Sequence, residues 1–224
     1  MAADLRNTMM CSITADYVFS KPMDASDPTN RHSEGLADAT MKLRRDTELV
    51  AGIFALREVF LNEQECLVHG DLHTGSVMIP IPNGAGSAKV IDAEFAHYGC
   101  AAFDVGTFVA HLLFAALARL DAEEARAAFV AAAATCWEQY TRGAANSPQL
   151  LQRTAGFAGC EIIRRVIGAA HVDDLEKLGD PNAKLKAEQA ALQLGGELVR
   201  RSGKMQAFDD VVMCAKQIFL SAST

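Results

Sequence analysis

Two stretches constrain this chain more than any other: Leu67-Val-His-Gly-Asp-Leu-His-Thr-Gly-Ser76 and Lys89-Val-Ile-Asp-Ala-Glu-Phe95. Each runs from a short apolar stretch into a turn that presents acidic side chains, Asp71 in the first and Asp92 with Glu94 in the second. Between them, Pro80, Pro82 and Gly84-Ala85-Gly86 mark a loop joining two short strands. Taken singly, a His-Gly-Asp is an ordinary turn and an Asp-x-Glu is a solvated strand end. Their order makes them a set: strand, acidic turn, loop, strand, acidic pair.

One chemistry that needs such a set is phosphoryl transfer. It asks little covalent participation of the protein; the site must hold an acceptor hydroxyl in line and neutralise charge on the phosphate oxygens. Asp71, just after the first strand, is placed to orient that hydroxyl and take its proton. Asp92 and Glu94 are the candidate Mg²⁺ ligands, since this hard cation takes oxygen ligands and keeps waters and substrate phosphates in its shell. At i and i+2 the two carboxylates share one face if the chain stays extended. A further pair, Arg164 and Arg165, stands among Phe157, Ile162, Ile163, Val166 and Ile167. Two adjacent arginines in so apolar a helix cannot both face water, and a guanidinium drawn inward needs an anionic partner. An ordinary alternative is one surface arginine plus one paired with Glu161, four residues before Arg165.

The His-Gly-Asp-Leu-His pattern resembles the catalytic loop of the aminoglycoside phosphotransferase and choline kinase superfamily. Within it, the chain is similar to the S-methyl-5-thioribose kinase family in three blocks: 7–22, with Met10-Cys-Ser-Ile-Thr-Ala-Asp-Tyr-Val-Phe19; 69–106; and 156–175. That resemblance implies Asp71 as catalytic base, Asp92 and Glu94 as metal ligands, and Arg164 and Arg165 near substrate and phosphates, with His69, His73 and Ser76 supporting the catalytic loop. It implies ATP and Mg²⁺ as cofactors, the 1-hydroxyl of 5-methylthioribose as acceptor in methionine salvage, and a homodimer. Ser76 departs from the superfamily, which commonly has Asn there, but agrees with the thioribose kinases. Choline, homoserine or an aminoglycoside are alternative acceptors. Asp104 reads as structural, capping the following helix or bracing the catalytic loop.

A complete enzyme of this kind has an N-terminal lobe whose Gly-rich loop and strand lysine clamp ATP. Nothing in the 68 residues before His69 supplies these. The expectation is therefore one unit over 1–224, the C-terminal catalytic and substrate-binding lobe of a protein-kinase-like fold with its ATP-clamping lobe missing. The second class of function is a non-catalytic remnant or binding module. Residues 37–62 carry Met41, Leu49, Ile53, Leu56 and Phe60 at helical spacing; further helices are expected over 105–120, 122–142 (with Asp121 as cap), 149–171, 181–201 and 208–221, with breaks at 26–34 and Asn146-Ser147-Pro148. The fold class is mainly α with a small β element (α+β).

Composition narrows the function classes. Half the residues are hydrophobic and 22% charged, enough for a sizeable core. A net charge of −7 without a basic block argues against a nucleic-acid partner. The 105–120 run contains His111 and Arg119 and is too short to span a membrane, and the N-terminus lacks a signal-peptide pattern. The six cysteines show no C-x-x-C pair, so reduced thiols in a cytoplasmic protein are expected. His97 and His171, like His73 and His111, lack metal-ligand spacing.

Overall fold

Helical periodicity dominates the sequence, and in the computed structural model, which describes residues 6–81, 86–143 and 147–223, it becomes nine α-helices around a small β element. Helix α1 (Thr8–Thr14) widens into π-helical turns (Ala15–Ser20) and a short 3₁₀ turn (Lys21–Met23) opened by Pro22. After the 26–34 loop come α2 (Ala37–Arg45) and α3 (Thr47–Asn62). The single helix expected over 37–62 is thus two. Asp46 takes an extended conformation, its carboxylate accepts the amide of Leu49 as N-cap, and it also pairs with Arg200 Nε at 2.9 Å.

The β element is two antiparallel pairs. Strand β1 (Cys66–Val68) pairs with β4 (His97–Gly99), and β2 (Val77–Met78) with β3 (Lys89–Val90). Pro82, Gly84 and Ala85 of the intervening loop, and Asn146, lie outside the described residues. Then follow α4 (Ala101–Leu117), α5 (Glu123–Gly143), α6 (Pro148–Ile167), α7 (Asp173–Glu176), α8 (Pro181–Arg201) and α9 (Phe208–Ser223). The caps at Ser147 and Asp180 fall where their sequences place them. Asp121 does not cap α5: that helix begins after Ala122, whose carbonyl takes the amide of Arg126, and Asp121 stays in the preceding turn. The class is mainly α with a small β part. Among the described residues no helix is long and apolar enough to cross a membrane, and all six cysteines are free.

Helix α6 is the axis of the molecule, apolar on nearly every face and packed between α4 and α8. Four rings join the N-terminal turns to this axis: Phe19 to Phe60 (5.8 Å between centroids), Phe60 to Phe103 (4.7 Å), Phe103 to Phe157 (5.4 Å) and Phe157 back to Phe19 (6.1 Å). Tilted and edge-on contacts of this kind contribute about 0.5–1.5 kcal/mol each beyond area burial. Trp137 stacks on Phe208 at 5.5 Å and fastens α5 to α9.

Where α6 crosses α8, Gly159 faces Gly195, and a Cβ at 159 would stand 2.6 Å from the Gly195 carbonyl oxygen. Only glycine permits this approach. Gly159→Ala is expected to push the helices apart at a cost of about 1–3 kcal/mol. Urea unfolding checks it through a lower midpoint at unchanged slope; an unchanged midpoint would show that the crossing has slack.

Candidate active site

The loop after β1 is built by backbone amides converging on one carboxylate. Asp104, in the first turn of α4, accepts the amide of His69 on Oδ2 (2.5 Å) and that of Gly70 on Oδ1 (2.9 Å). It braces the loop, one of the two structural roles expected of it; the helix cap is not made, since the α4 N-cap is Cys100 without a side-chain bond. Burial pushes the Asp104 carboxyl above its ordinary pKa, and the two amides oppose that shift. Gly70 has φ +84°, and a side chain there would run into the Phe95 carbonyl. That close approach ties the loop to the second acidic turn.

His69 is a framework residue. Its Nδ1 accepts the amide of Asp71 (3.3 Å), so Nε2 carries the proton and donates to the Ile91 carbonyl at 2.8 Å. Ser76 is buried; its Oγ donates to the Asp71 carbonyl (3.3 Å), and its own carbonyl accepts the amide of Ile91 (3.0 Å). These bonds place the two acidic turns side by side.

Asp71 emerges from the braced loop with its side chain 30% exposed. Nη2 of Arg165 lies 3.6 Å from Asp71 Oδ1 and Nη2 of Arg164 3.7 Å from the same oxygen, while His73 Nε2 stands 3.8 Å from Oδ2. These separations are ion-pair contacts longer than hydrogen bonds, so the carboxylate is surrounded without being locked. Burial above all, with His111 and Arg165, lowers the pKa of His73 against the pull of Asp71.

The arginines have their anionic partner, and it is shared. Glu161, 1% exposed, accepts Arg164 Nε on Oε2 (2.6 Å) and Arg165 Nε on Oε1 (2.8 Å); Arg164 Nη2 also reaches Oε1 (3.0 Å), and His111 Nε2 lies 3.3 Å from it. Burial would raise its pKa, but the two guanidiniums and His111 hold it well below the carboxylate range. Both arginines therefore turn inward, not one inward and one to the surface. The sequence names Glu161 only in the alternative reading, as a partner of Arg165, and gives His111 no partner. The signal for more was the spacing: Glu161 stands three and four residues before the pair, reach for both.

The second acidic turn differs from the expected geometry. Asp92 and Glu94 lie beyond β3 and are exposed, and Asp92 has φ +67°. The chain does not stay extended there, so the alternation that would put both carboxylates on one face does not apply. Aspartate tolerates this left-handed conformation better than most residues. It lets the chain turn between Ile91, held from both sides, and the turn in which the Ala96 amide bonds the Ala93 carbonyl. Asn7 secures the turn from the N-terminal segment, its Nδ2 donating to the carbonyls of Glu94 (2.9 Å) and Ala96 (3.1 Å), a contact nothing in the local sequence announces. Among the described residues no cluster of three or more His, Cys, Asp or Glu side chains could hold a metal.

These parts border a cleft of about 540 Å³, with Asp71, Arg164 and Arg165 at one side and Ile13, Tyr17, Val18, Phe95 and Phe103 among its other walls. The cleft thus brings together a braced acidic loop, two inward arginines and apolar side chains. The chain belongs to the phosphotransferase enzyme family, whose pattern it matches over residues 15–142, more than half its length. Among curated proteins it is similar to the methylthioribose kinases of Bacillus cereus strain AH187 and Bacillus thuringiensis subsp. konkukian strain 97-27, each 38% identical over 216 residues covering 88% of this chain and 54% of theirs. The methylthioribose kinase of Bacillus cereus strain B4264 is 37% identical over the same span. The chain thus spans about half the length of the curated relatives it matches.

Proposed function

We propose that this chain forms the acceptor-binding and catalytic part of an ATP-dependent kinase for the 1-hydroxyl of 5-methylthioribose, a step of methionine salvage. The observation that carries the reading is Asp71 standing free on the cleft with both arginines within 3.7 Å of one oxygen. In the proposed reaction Asp71 orients the acceptor hydroxyl and takes its proton, while Arg164 and Arg165 face the anionic groups that meet it. His69, Ser76 and Asp104 fix the loop, and His73, whose pKa burial lowers, stands at the second oxygen of Asp71. The apolar wall suits the methylthio end of the acceptor, and the two arginines beside Asp71 disfavour the polycationic body of an aminoglycoside.

Asp92 and Glu94 would hold Mg²⁺, and the donor set fits: this ion is bound through one or two carboxylates and completes its shell with waters and phosphates, which exposed side chains permit. When bound, it would neutralise charge on the transferring phosphoryl group. The names of the relatives support the acceptor and the nucleotide. The test is an ADP-release assay on the full polypeptide the gene encodes, with methylthioribose, choline and an aminoglycoside in competition. Preference for methylthioribose is expected; preference for either alternative removes the salvage assignment, and no turnover with any acceptor returns the chain to the class of binding modules.

A further inference from the structure

Successive residues of an α-helix project about 100° apart, yet Arg164 and Arg165 bring their Nη2 atoms to the same oxygen of Asp71, at 3.7 and 3.6 Å. Asp71 meets both only at ion-pair distance; Glu161, buried in α6, accepts the Nε of each at hydrogen-bond distance, 2.6 and 2.8 Å, and is the group that draws them together. Each Nε is engaged and Arg164 Nη2 also bonds Glu161 Oε1 at 3.0 Å, so both guanidinium planes are anchored by Glu161 while the Nη2 of each stands within 3.7 Å of Asp71 on the cleft. Unanchored arginines four bonds from the backbone would sample many rotamers, and ordering them would be charged against ligand binding. His111 stands behind the same carboxylate at 3.3 Å, its ring 5.3 Å from that of His73, so the support reaches the other side of Asp71.

We infer that Glu161 is the positioning residue of this site: it aims Arg164 and Arg165 as one anion-binding fork whose ligand is a phosphate dianion or phosphoryl group. The inference rests on the kinase reading for its biological meaning but can be tested apart from it. A carboxylate beside an anion site repels the anion, so charge alone and positioning predict opposite signs. If Glu161 acts only as a charge, Glu161→Gln strengthens phosphate binding; if it positions the fork, the same change weakens it, because a neutral amide cannot accept both Nε–H groups as strongly.

Calorimetric titration of the full polypeptide with inorganic phosphate reads this without turnover. The expected result is measurable binding by the parent and about tenfold weaker binding by Glu161→Gln, the loss of one well-aimed charge-assisted contact. Equal or tighter binding by the variant, or no phosphate binding by the parent, overturns the inference. Should Glu161→Gln fail to melt cooperatively, Glu161→Asp decides: it keeps the charge and withdraws the carboxylate by one methylene from the two Nε–H groups it holds. A comparable loss of phosphate affinity is expected there, and an unchanged affinity overturns the inference. Failure of methylthioribose phosphorylation alongside the expected phosphate result would sink the acceptor assignment and leave the fork standing.

Discussion

Asp71→Asn in the full polypeptide is expected to lower kcat by about 10²–10⁴-fold, the range for loss of a positioned general base, with KM for the acceptor changed far less. The substitution is nearly isosteric, and among the described residues the polar contacts of the native side chain are ion-pair contacts of 3.6–3.8 Å, so its loss should not move the loop. The loop is held elsewhere, through the His69 and Gly70 amides and the Ser76 hydroxyl. Removing the carboxylate charge also leaves Arg164 and Arg165 with less anion nearby, so nucleotide or product should bind no worse. An ADP-release assay separates the two constants. Residual turnover within a few-fold of the parent, with acceptor binding unchanged, would rule Asp71 out as the base, whatever the family.

What could be seen of this site in the sequence was what is local. The His-Gly-Asp turn and its following serine lie within ten residues of each other, and short-range geometry decides where their side chains go; Asp104 reaches them from α4, 35 positions beyond His69. Helix starts at Ser147 and Asp180 were equally legible, because a cap is a contact across two or three residues. The failures came where distant residues decide. Asp46 splits a continuous apolar periodicity because it both caps α3 and answers Arg200, more than 150 positions away. The Asp92 and Glu94 pair was placed on one face by assuming an extended chain. The left-handed turn there depends on His69, Ser76 and Asn7, which approach only in the folded state.

The arginine pair lies between these cases. That at least one of the two turns inward followed from the hydrophobicity of α6, since both could not reach water from that face; that both do is the structure's finding. That one glutamate would satisfy the two together did not follow, because i to i+3 and i to i+4 pairs are ordinarily alternatives on an exposed helix. Burial changes the balance: one carboxylate with several donors is cheaper to enclose than two separate pairs, and the low pKa of Glu161 reflects that concentration of positive charge.

Asp104→Ala should have the larger combined effect on fold and function. It removes the one acceptor that the amides of His69 and Gly70 have among the described residues and leaves both short of a partner beside a half-buried loop. With each orphaned donor costing about 1–3 kcal/mol, the fold should lose about 2–6 kcal/mol. The loop need not unfold for activity to collapse: a displacement of about 1 Å in a reacting group costs about 10²-fold in rate, and Asp71 is one residue beyond the braced amides. Asp104→Asn should fall between alanine and the parent, because its amide has one acceptor oxygen for two donors. Urea unfolding, amide exchange at His69 and Gly70, and kcat should therefore rank the three proteins in the same order. An alanine variant with fast exchange at both amides and unimpaired kcat would show that the bracing serves the fold alone; one with parental stability and exchange would show that the loop is held by its glycine geometry and by Ser76 without help from α4.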